Sequence, residues 1–248
     1  MTDSLGWRMK FGVIAPSTNT SVQPEYDDMR PRGITNHFSR IIIPDMKVSS
    51  DEEFVAMVQT IRDATEAAID AVMTCHPGHV IMGMSAETFW DGQGRSDDLL
   101  NRMEKRAGVP VTMGSHACLE AIRRYGNIKR IGVVTPYMPV GDAQVHKFFA
   151  DNGLEVVALR GLKCASPSLI AHVQPDELRR AVLEVNDPSV ELIMQAGTNL
   201  AFAAVAADAE RWLNKPVLAI NTCTYWHALR RNGFEDRIDG FGTLLLDH

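Results

Sequence analysis

Three short pieces of the sequence occur twice, in the same order, in the two halves of the chain. FGVIAP at 11–16 returns as IGVVTP at 131–136, VPV at 109–111 returns as KPV at 215–217, and IRRYG at 122–126 returns as LRRNG at 229–233. Short apolar runs of this kind, bounded by proline or glycine, are typical of buried strands. The repeat therefore predicts two similar lobes, and a cleft between lobes is a common place for a small ligand.

Apolar runs alternate with longer segments of helical periodicity along the whole chain. Strands are predicted at 10–15, 37–43, 79–84, 110–114, 130–135, 154–159, 190–195 and 216–220, and helices at 51–74, 95–107, 117–125, 140–152, 175–185, 200–213 and 224–232. Such alternation indicates βαβ units, whose parallel sheets are covered by helices on both faces. We therefore predict an α/β fold with two pseudo-symmetric, doubly wound parallel-sheet lobes and a site in the cleft between them. Residues 9–116 with 222–248 would form the first lobe, and residues 117–221 the second.

Composition narrows the range of partners. The 248 residues carry 25 basic and 31 acidic side chains, a net charge of −6, with no basic stripe of the kind that binds nucleic acid. No apolar run approaches the roughly 20 residues of a transmembrane helix, and the first residues lack the apolar core of a signal peptide. These features predict a cytoplasmic protein that contacts neither nucleic acid nor membrane, and they leave a homo-oligomer open.

Sequence motifs for metals and large cofactors are missing. The four cysteines form no CxxC pair, and the eight histidines show no ligand spacing beside an acid, so no metal site is predicted. No GxGxxG follows the first predicted strand, and GxxxxGK[ST] does not occur, which argues against dinucleotide and nucleoside triphosphate cofactors. The sequence therefore supports neither a metal site nor these two classes of cofactor.

Two predicted strands end in short polar tips that carry glycine. In an open parallel sheet, ligands collect outside the carboxyl ends of the strands, so both tips are candidate binding sites. Their backbone amides and hydroxyls suit an oxyanion site, which stabilises negative charge as it develops. The candidate binding residues are Gly83, Met84 and Ser85 at the first tip and Gly197, Thr198 and Asn199 at the second.

The turn after the first predicted strand, PSTNT at 16–20, gathers hydroxyl and amide side chains. Ser17 and Asn19, together with the amides at the start of a following helix, would cradle a carboxylate or a phosphate. The alternative is that these residues only cap that helix. The matching turn of the second half, TPYMP at 135–139, offers Tyr137 either as a hydrogen-bond donor into the cleft or as a packing residue.

Two titratable residues are candidates for moving a proton. Glu87 follows the first tip and is either a base or an acid in the first turn of a helix, where it suits the helix dipole. His172 ends SPSLIAH at 166–172, a loop placed to close over the cleft. Among the cysteines, Cys223 stands near a predicted helix start, where a thiolate would be favoured.

Several motifs resemble one known group of enzymes. The segments VIAPSTNT at 13–20, MGMS at 82–85, VTPYM at 134–138 and KPVL at 215–218 resemble the maleate isomerase and arylmalonate decarboxylase branch of the aspartate/glutamate racemase superfamily, over roughly residues 11–232. The resemblance implies two lobes that hold carboxylates between them. It also implies cofactor-free chemistry through an enediolate-type intermediate or a cysteine adduct. Asn19 and Tyr137 match carboxylate contacts of that family, and Ser85 matches an oxyanion position.

The thiols of that family are missing at the positions where the resemblance places them. The family usually carries one cysteine at each strand tip, which corresponds here to Gly83 and to Ala196, or to Gly197 if the alignment shifts by one residue. Glycine and alanine provide neither the nucleophile nor the proton donor that a thiol provides. Three functions stay open: a racemase, cis-trans isomerase or decarboxylase acting on a small carboxylic acid, a thiol-free hydrolase, or a non-catalytic carboxylate-binding protein.

Overall fold

The computed structural model describes residues 3–248, and within them eight strands form two four-stranded sheets. The first sheet has the order β2-β1-β3-β4, with β1 at Met9–Pro16, β2 at Ile34–Ile41, β3 at His79–Met82 and β4 at Val111–Met113. The second has the order β6-β5-β7-β8, with β5 at Arg130–Thr135, β6 at Glu155–Gly161, β7 at Leu192–Gln195 and β8 at Val217–Ala219. All neighbouring strands are parallel. The two sheets repeat one strand order, which confirms the predicted α/β fold with two pseudo-symmetric lobes.

Nine α-helices and two short 3-10 helices connect the strands in the described part of the chain. The α-helices are α1 Val22–Asp28, α2 Asp51–Met73, α3 Gln93–Ala107, α4 Gly114–Arg124, α5 Pro139–Asp151, α6 Pro175–Glu184, α7 Ala203–Leu213, α8 Ile220–Arg231 and α9 Thr243–Asp247. The 3-10 helices are Ala86–Phe89 and Leu169–His172. All seven predicted α-helices are present. Helices α1 and α9 were not predicted, because seven and five residues are too few for helical periodicity to show.

Two predicted strands run into the helices that follow them. Gly114 and Ile220 were expected to end strands, but each is the first residue of a helix, because the chain passes from β4 into α4 and from β8 into α8 without a turn. A Cβ atom on Gly114 would lie 2.7 Å from Cδ1 of Ile220, so a larger residue there would require the Ile220 side chain to move. The two helices start face to face and pack against each other across the lobes.

Helix α2 shows how the sequence builds one wall of the cleft. Ser50 accepts a hydrogen bond from the Glu53 amide at 3.3 Å, and acidic residues in the first turn suit the positive end of the helix dipole. Apolar residues recur with helical spacing, so one face is buried against the first sheet. Met57 and Ile61, one turn apart on that face, extend to the cleft. Burial of each stabilises the fold by about 2 kcal/mol.

The strands divide between the sheets after β4, whereas the helices cross between them. Helix α8 leaves the second sheet and contacts β3 and β4 of the first. The lobe boundaries at 116/117 and 221/222 stay a prediction.

Among residues 3–248, no helix has the length and apolar character needed to cross a bilayer. Within the same residues, no three His, Cys, Asp or Glu side chains lie close enough together to hold a metal ion.

Candidate active site

The segments that follow β1, β3, β5 and β7 meet at one cleft, which holds a cavity of about 50 Å³. Apolar side chains form most of its wall, and a group of hydroxyl and amide side chains shares it. The apolar residues include Ile43, Met57, Ile61, Met84 and Ile170, and the polar ones are Thr18, Asn19, Ser85, Tyr137, Thr198 and Asn199. Within residues 3–248, no Asp, Glu, Lys, Arg or His lines this cavity. The cleft is therefore uncharged and mainly apolar.

Hydroxyl groups from the two lobes come together at this cavity. Ser85 Oγ lies 2.6 Å from Tyr137 Oη, and the Thr198 amide donates to Ser85 Oγ at 3.1 Å. Tyr137 is only 4% exposed, and this burial raises the pKa of its phenol far above the ordinary value. The phenol therefore stays protonated, and it serves as a hydrogen-bond donor rather than as a base.

The backbone and ring of Tyr137 are both held in place. Its amide donates to Thr135 Oγ1 at 3.1 Å, and its ring packs edge-on against Phe54 with the centroids 5.3 Å apart. Thr135 Oγ1 in turn donates to the Asp142 carboxylate. Burial raises the pKa of Asp142 to about 6, against the opposing effect of the hydrogen bond from Thr135. These contacts fix the direction of the Tyr137 hydroxyl.

Several backbone amides of cavity-lining residues donate to no acceptor in the described chain. Three of them belong to Met84, Ser85 and Gly197 at the two tips. Nearly all amides buried in proteins have a partner, so an unpaired cluster is unusual. A carboxylate or enediolate oxygen would satisfy them. These amides and the Ser85–Tyr137 hydroxyls form the strongest set of anion-binding donors in the cleft.

The internal repeat pairs the two tips residue by residue. The Gly83 amide donates to Ile14 O at 2.8 Å, and the Ala196 amide donates to Val134 O at 2.9 Å. Ile14 and Val134 occupy matching places in the repeated segments FGVIAP and IGVVTP. Ala196 is therefore the structural counterpart of Gly83, and the residues two positions later, Ser85 and Thr198, are counterparts of each other.

Close packing disfavours a side chain at both tip glycines. A Cβ atom at Gly83 would lie 2.8 Å from Val22 Cγ1 and 3.3 Å from Ile14 O. Gly197 has a φ of +146°, and a Cβ atom there would clash with the Pro136 ring. Side chains rarely adopt such a backbone conformation. Neither position accepts a cysteine unless the neighbouring segment moves.

The cysteines of the chain are all elsewhere. Ala196 is fully buried and does not line the cavity, and none of the four cysteines lines it. Cys118 and Cys223 are buried, while Cys75 and Cys164 are half-buried. Burial raises the pKa of Cys164 to about 11 and that of Cys223 well above the ordinary value. At Cys223 burial outweighs the helix start, which by itself would favour a thiolate.

Asn19 caps a helix. Its Oδ1 accepts hydrogen bonds from the amides of Ser21 and Val22, both at 3.0 Å, and its Nδ2 donates to Thr198 Oγ1 at 3.2 Å. The amide of Thr20 is also occupied, by Asn199 Oδ1 at 2.9 Å. The amides that were expected to cradle an anion at this turn are thus filled by side-chain oxygens. Helix capping, the alternative interpretation, describes this turn.

Asn199 joins the two lobes. Its Oδ1 accepts from Thr20, its Nδ2 donates to Pro167 O at 2.8 Å, and its carbonyl accepts from Ser21 Oγ at 2.9 Å. Asn199 lines the cavity, but both the oxygen and the nitrogen of its side-chain amide are hydrogen-bonded within the protein. Its main role is therefore to connect the two lobes. A direct role in binding substrate stays a prediction for Asn19 and Asn199.

The structure does not bring Ser17 or His172 to the cavity. Ser17 is exposed, and its hydroxyl is paired with the backbone of Ile43, donating to the carbonyl and accepting from the amide, both at 3.0 Å. His172 is exposed at the end of its 3-10 helix, whereas Ile170 of the same helix lines the cavity. The predicted loop does reach the cleft, but through its apolar residue.

Glu87 is engaged in an ion pair away from the cavity. The Arg62 guanidinium contacts both carboxylate oxygens, with Nε 2.7 Å from Oε1 and Nη2 2.9 Å from Oε2. Glu87 is 7% exposed and lines a separate cavity together with Arg62 and Trp90. This geometry places Glu87 outside the candidate site. It fits the alternative interpretation, an acid at a short helix, here the 3-10 helix Ala86–Phe89.

Two loops close the mouth of the cleft. Asp45 accepts hydrogen bonds from the Ser168 amide at 3.0 Å and from its hydroxyl at 2.6 Å. The Val48 amide donates to Ala165 O at 2.7 Å. These bonds connect the loop after β2 to the loop before α6, and they position Ile43 and Ile170 on the cavity wall.

Sequence reasoning missed this apolar wall. Ile43, Met57, Ile61 and Ile170 were not predicted as site residues. On α2, Met57 and Ile61 carry the same spacing signal as the core residues beside them, so periodicity cannot separate a cleft residue from a core residue. Only the position of α2 against the tips reveals their role.

A family model described as arylmalonate decarboxylase matches residues 11–245. The chain belongs to the arylmalonate decarboxylase family. It is also 25% identical to a maleate isomerase from Alcaligenes faecalis over 248 residues, covering 95% of this chain and 96% of the relative. A maleate isomerase from Pseudomonas putida is 27% identical over 251 residues, with the same coverage. The suspected branch of the superfamily is thereby confirmed.

Solved structures agree with this family fold. A Nocardia farcinica maleate cis-trans isomerase bound to TRIS superposes with a TM-score of 0.86 at 19% identity, covering 96% of this chain and 97% of its own. An arylmalonate decarboxylase crystal structure gives a TM-score of 0.74 at 18% identity, covering 95% and 98%. At these identities the structural likeness establishes the fold. Among residues 3–248, no cysteine lines the cleft that holds the Ser85 and Tyr137 hydroxyls.

Proposed function

We propose that the protein is a cofactor-independent decarboxylase of a small malonate-type dicarboxylic acid with an apolar substituent. The observation that carries this proposal is the Ser85–Tyr137 hydroxyl pair beside three unpaired amides, set in an uncharged and mainly apolar cavity. Membership of the arylmalonate decarboxylase family supports it. The reaction needs no cofactor, as the sequence predicts, and it suits a cytoplasmic protein whose thiols are free.

The donors and the apolar wall have separate parts in this reaction. One carboxylate of the substrate accepts a hydrogen bond from the Ser85–Tyr137 pair, which has one hydrogen left after its internal bond, and further hydrogen bonds from the free amides. The other lies against Ile43, Met57 and Ile61, where it loses its hydration. The bond from the α-carbon to this second carboxylate breaks, and carbon dioxide leaves. The electron pair moves into the retained carboxylate as an enediolate, whose added charge the donors stabilise.

The α-carbon then takes one proton from water. No thiol, carboxylic acid or imidazole of residues 3–248 lines the cavity to supply it. The overall change is the loss of one carbon dioxide and the gain of one proton, which balances without an oxidant or a further reactant.

Bond breaking without a base distinguishes this proposal from the other reactions of the superfamily. Racemisation requires a group that removes a proton from the α-carbon, and thiol-dependent isomerisation requires a nucleophile. Tyr137 is the only titratable residue on the cavity wall within the described chain, and burial keeps it protonated. A thiol-free hydrolase would need a base to activate water, so the same observation argues against it.

A non-catalytic carboxylate-binding protein is the second candidate. The missing proton donor favours it, because an enediolate that is not protonated quickly reverts to substrate when carbon dioxide is retained. Binding alone would use the same donors, so turnover separates the two functions.

Carbon dioxide release from a panel of malonic acids tests the proposal. The panel carries methyl, ethyl and phenyl substituents, and the products are identified by NMR in deuterated water. We expect a monoacid with one deuterium at the α-carbon for at least one substrate. Ser85→Ala should remove this activity, whereas the control Ser17→Ala, at an exposed hydroxyl outside the cavity, should retain it. Binding of a malonate without carbon dioxide release would establish the binding function instead.

A further inference from the structure

We propose that Glu25 is a positioning residue of this site: its ionised carboxylate orients the Asn221 amide, which holds the second tip so that the Thr198 amide points at Ser85. The inference rests on the proposed function only for its activity measurement. Glu25 lies outside the cavity wall and contacts no ligand, so it acts through other residues.

The Glu25 carboxylate joins three helices behind the second tip. It extends from α1, and its Oε1 accepts a hydrogen bond at 3.0 Å from the amide of Ala203, the first residue of α7. Its Oε2 accepts at 2.6 Å from Nδ2 of Asn221, the second residue of α8. Phe202, the residue before α7, provides no side-chain cap. Glu25 therefore caps α7, the helix that follows the tip, with a negative charge at its positive end.

Asn221 transmits this contact to the tip. Its Nδ2 also donates to Thr198 O at 2.9 Å, and the Thr198 amide donates to Ser85 Oγ at 3.1 Å. An unbroken path thus leads from Glu25 through Asn221 and Thr198 to the hydroxyl pair. Thr198 is 4% exposed, so little space is available for it to adjust. A rotation of the Asn221 amide would move the second tip against the first.

The hydrogen-bond pattern suits the ionised form of Glu25, because each carboxylate oxygen accepts a hydrogen bond. A proton on Oε2 would face the Nδ2 hydrogens of Asn221, which places two donors against each other. The Asn221 amide would then turn, so that Oδ1, which is buried without a partner in the described chain, accepts from Glu25. A turned amide no longer donates to Thr198 O, and the tip loses its anchor. Protonation of Glu25 and the position of the second tip are therefore linked.

The surroundings of Glu25 shift the pKa of its carboxyl group towards neutral pH. Burial raises the pKa of Glu25 to about 7, although the hydrogen bonds from Asn221 and from the amides of Ala203 and Phe202 oppose the rise. Asp28 on the same helix raises it further. Helices α7 and α8 present amide groups to the carboxylate, and no cation is among the groups that shift this pKa.

NMR of 15N-labelled protein between pH 5 and 9 tests the inference without any need for turnover. In the wild type, the Thr198 amide resonance should shift with a midpoint near 7. Glu25→Gln should abolish this shift. The control Asp27→Asn removes an exposed carboxylate from the same helix and should retain it. Asn221→Ala should also abolish the shift at Thr198, because it breaks the path while Glu25 remains.

Turnover gives a second measurement. In the wild type, kcat should rise roughly tenfold from pH 6 to pH 8, about the effect of one transition-state hydrogen bond, with little change in KM. Glu25→Gln should show a low kcat that does not depend on pH over this range.

The results of these experiments either support the role of Glu25 or overturn it. A Thr198 resonance that does not titrate in the wild type overturns the inference, and so does an unchanged titration in Glu25→Gln. If Glu25→Gln does not fold, the wild-type titration and Asn221→Ala decide. If no malonate is turned over, the proposed function fails, while the Thr198 titration still tests the role of Glu25.

Discussion

Ser85 Oγ and Tyr137 Oη lie 2.6 Å apart, although the two residues follow strands of different sheets. The pair exists only when both lobes are closed on each other. Each hydroxyl has one hydrogen to donate, so the pair offers one donor to a ligand once the internal bond is made. The candidate site is therefore a product of the interface between lobes rather than of either lobe.

Tyr137→Phe should lower kcat/KM for the malonate substrate by roughly 100-fold, since loss of one preorganised donor to a developing oxyanion has about that effect. The ring and its packing against Phe54 remain, so the free energy of unfolding should change by about 1 kcal/mol, the value of one hydrogen bond. Steady-state kinetics and urea denaturation measure the two quantities. Equal kcat/KM for Tyr137→Phe and wild type would remove the phenol from the mechanism.

Gly83→Ala should destabilise the protein by about 1–3 kcal/mol, the usual cost of overpacking. The added methyl group would lie 2.8 Å from Val22 Cγ1, and Val22 is fully buried at the start of α1. The matched control is Gly94→Ala on α3, where no atom lies within 4 Å of the added methyl group. That control should be neutral or stabilising by about 1 kcal/mol. Similar unfolding free energies for the two variants would contradict the close packing at the first tip.

The repeated strands and the polar tips were readable from sequence, because strand periodicity and glycine placement are local signals. The predicted site residues Met84, Ser85, Tyr137, Gly197 and Thr198 line one cavity in the structure, whereas Gly83 does not line it. The presence of two similar lobes was predicted from the internal repeat. These features could be predicted because each is encoded by residues that are adjacent in the sequence.

The remaining features of the site depend on contacts between segments that are distant in the sequence. Such contacts cannot be predicted from the local pattern of a single sequence. Glu87 follows the first tip in sequence, yet Arg62 of α2 binds its carboxylate and removes it from the cleft. The bond from Asn19 Nδ2 to Thr198 Oγ1 likewise appears only in the structure, and the role of Asn19 in holding an anion stays a prediction. Glu25 had no signal at all, because its partner Asn221 is almost 200 residues away.

Arg62→Ala should destabilise the protein more than Glu87→Gln. Removing the guanidinium leaves the Glu87 carboxylate, 7% exposed, without its cation, at a cost of about 3 kcal/mol. Glu87→Gln removes the charge and keeps the shape, so we expect about 1 kcal/mol. Because Glu87 lies outside the cavity, kcat of the folded Glu87→Gln variant should match that of the wild type. A loss of 100-fold or more would instead identify Glu87 as the base that was predicted from sequence.

Removal of the Glu25 carboxylate should also change how stability depends on pH. The pKa of Glu25 is raised on folding from 4.5 to about 7, so the folded state holds the proton more tightly than the unfolded state. Its contribution is fully present below pH 4.5 and is lost as pH rises to 7. Wild type should therefore lose about 2 kcal/mol over this range relative to Glu25→Gln. Urea denaturation at each pH measures the difference, and parallel curves for the two proteins would contradict the raised pKa.

A prochiral malonate should give both enantiomers of the monoacid in similar amounts. Neither tip carries a thiol, and no carboxylic acid or imidazole of residues 3–248 lines the cavity, so no acid selects the face of the enediolate that receives the proton. Water then supplies that proton. The measurement is chiral chromatography of the product from 2-ethyl-2-methylmalonic acid, with the hydrogen source read from deuterium content. One dominant enantiomer would show that a group of the protein delivers the proton from a fixed side. Tyr137 would then be the first candidate, since it is the titratable group on the wall, and loss of selectivity in Tyr137→Phe would identify it as the acid.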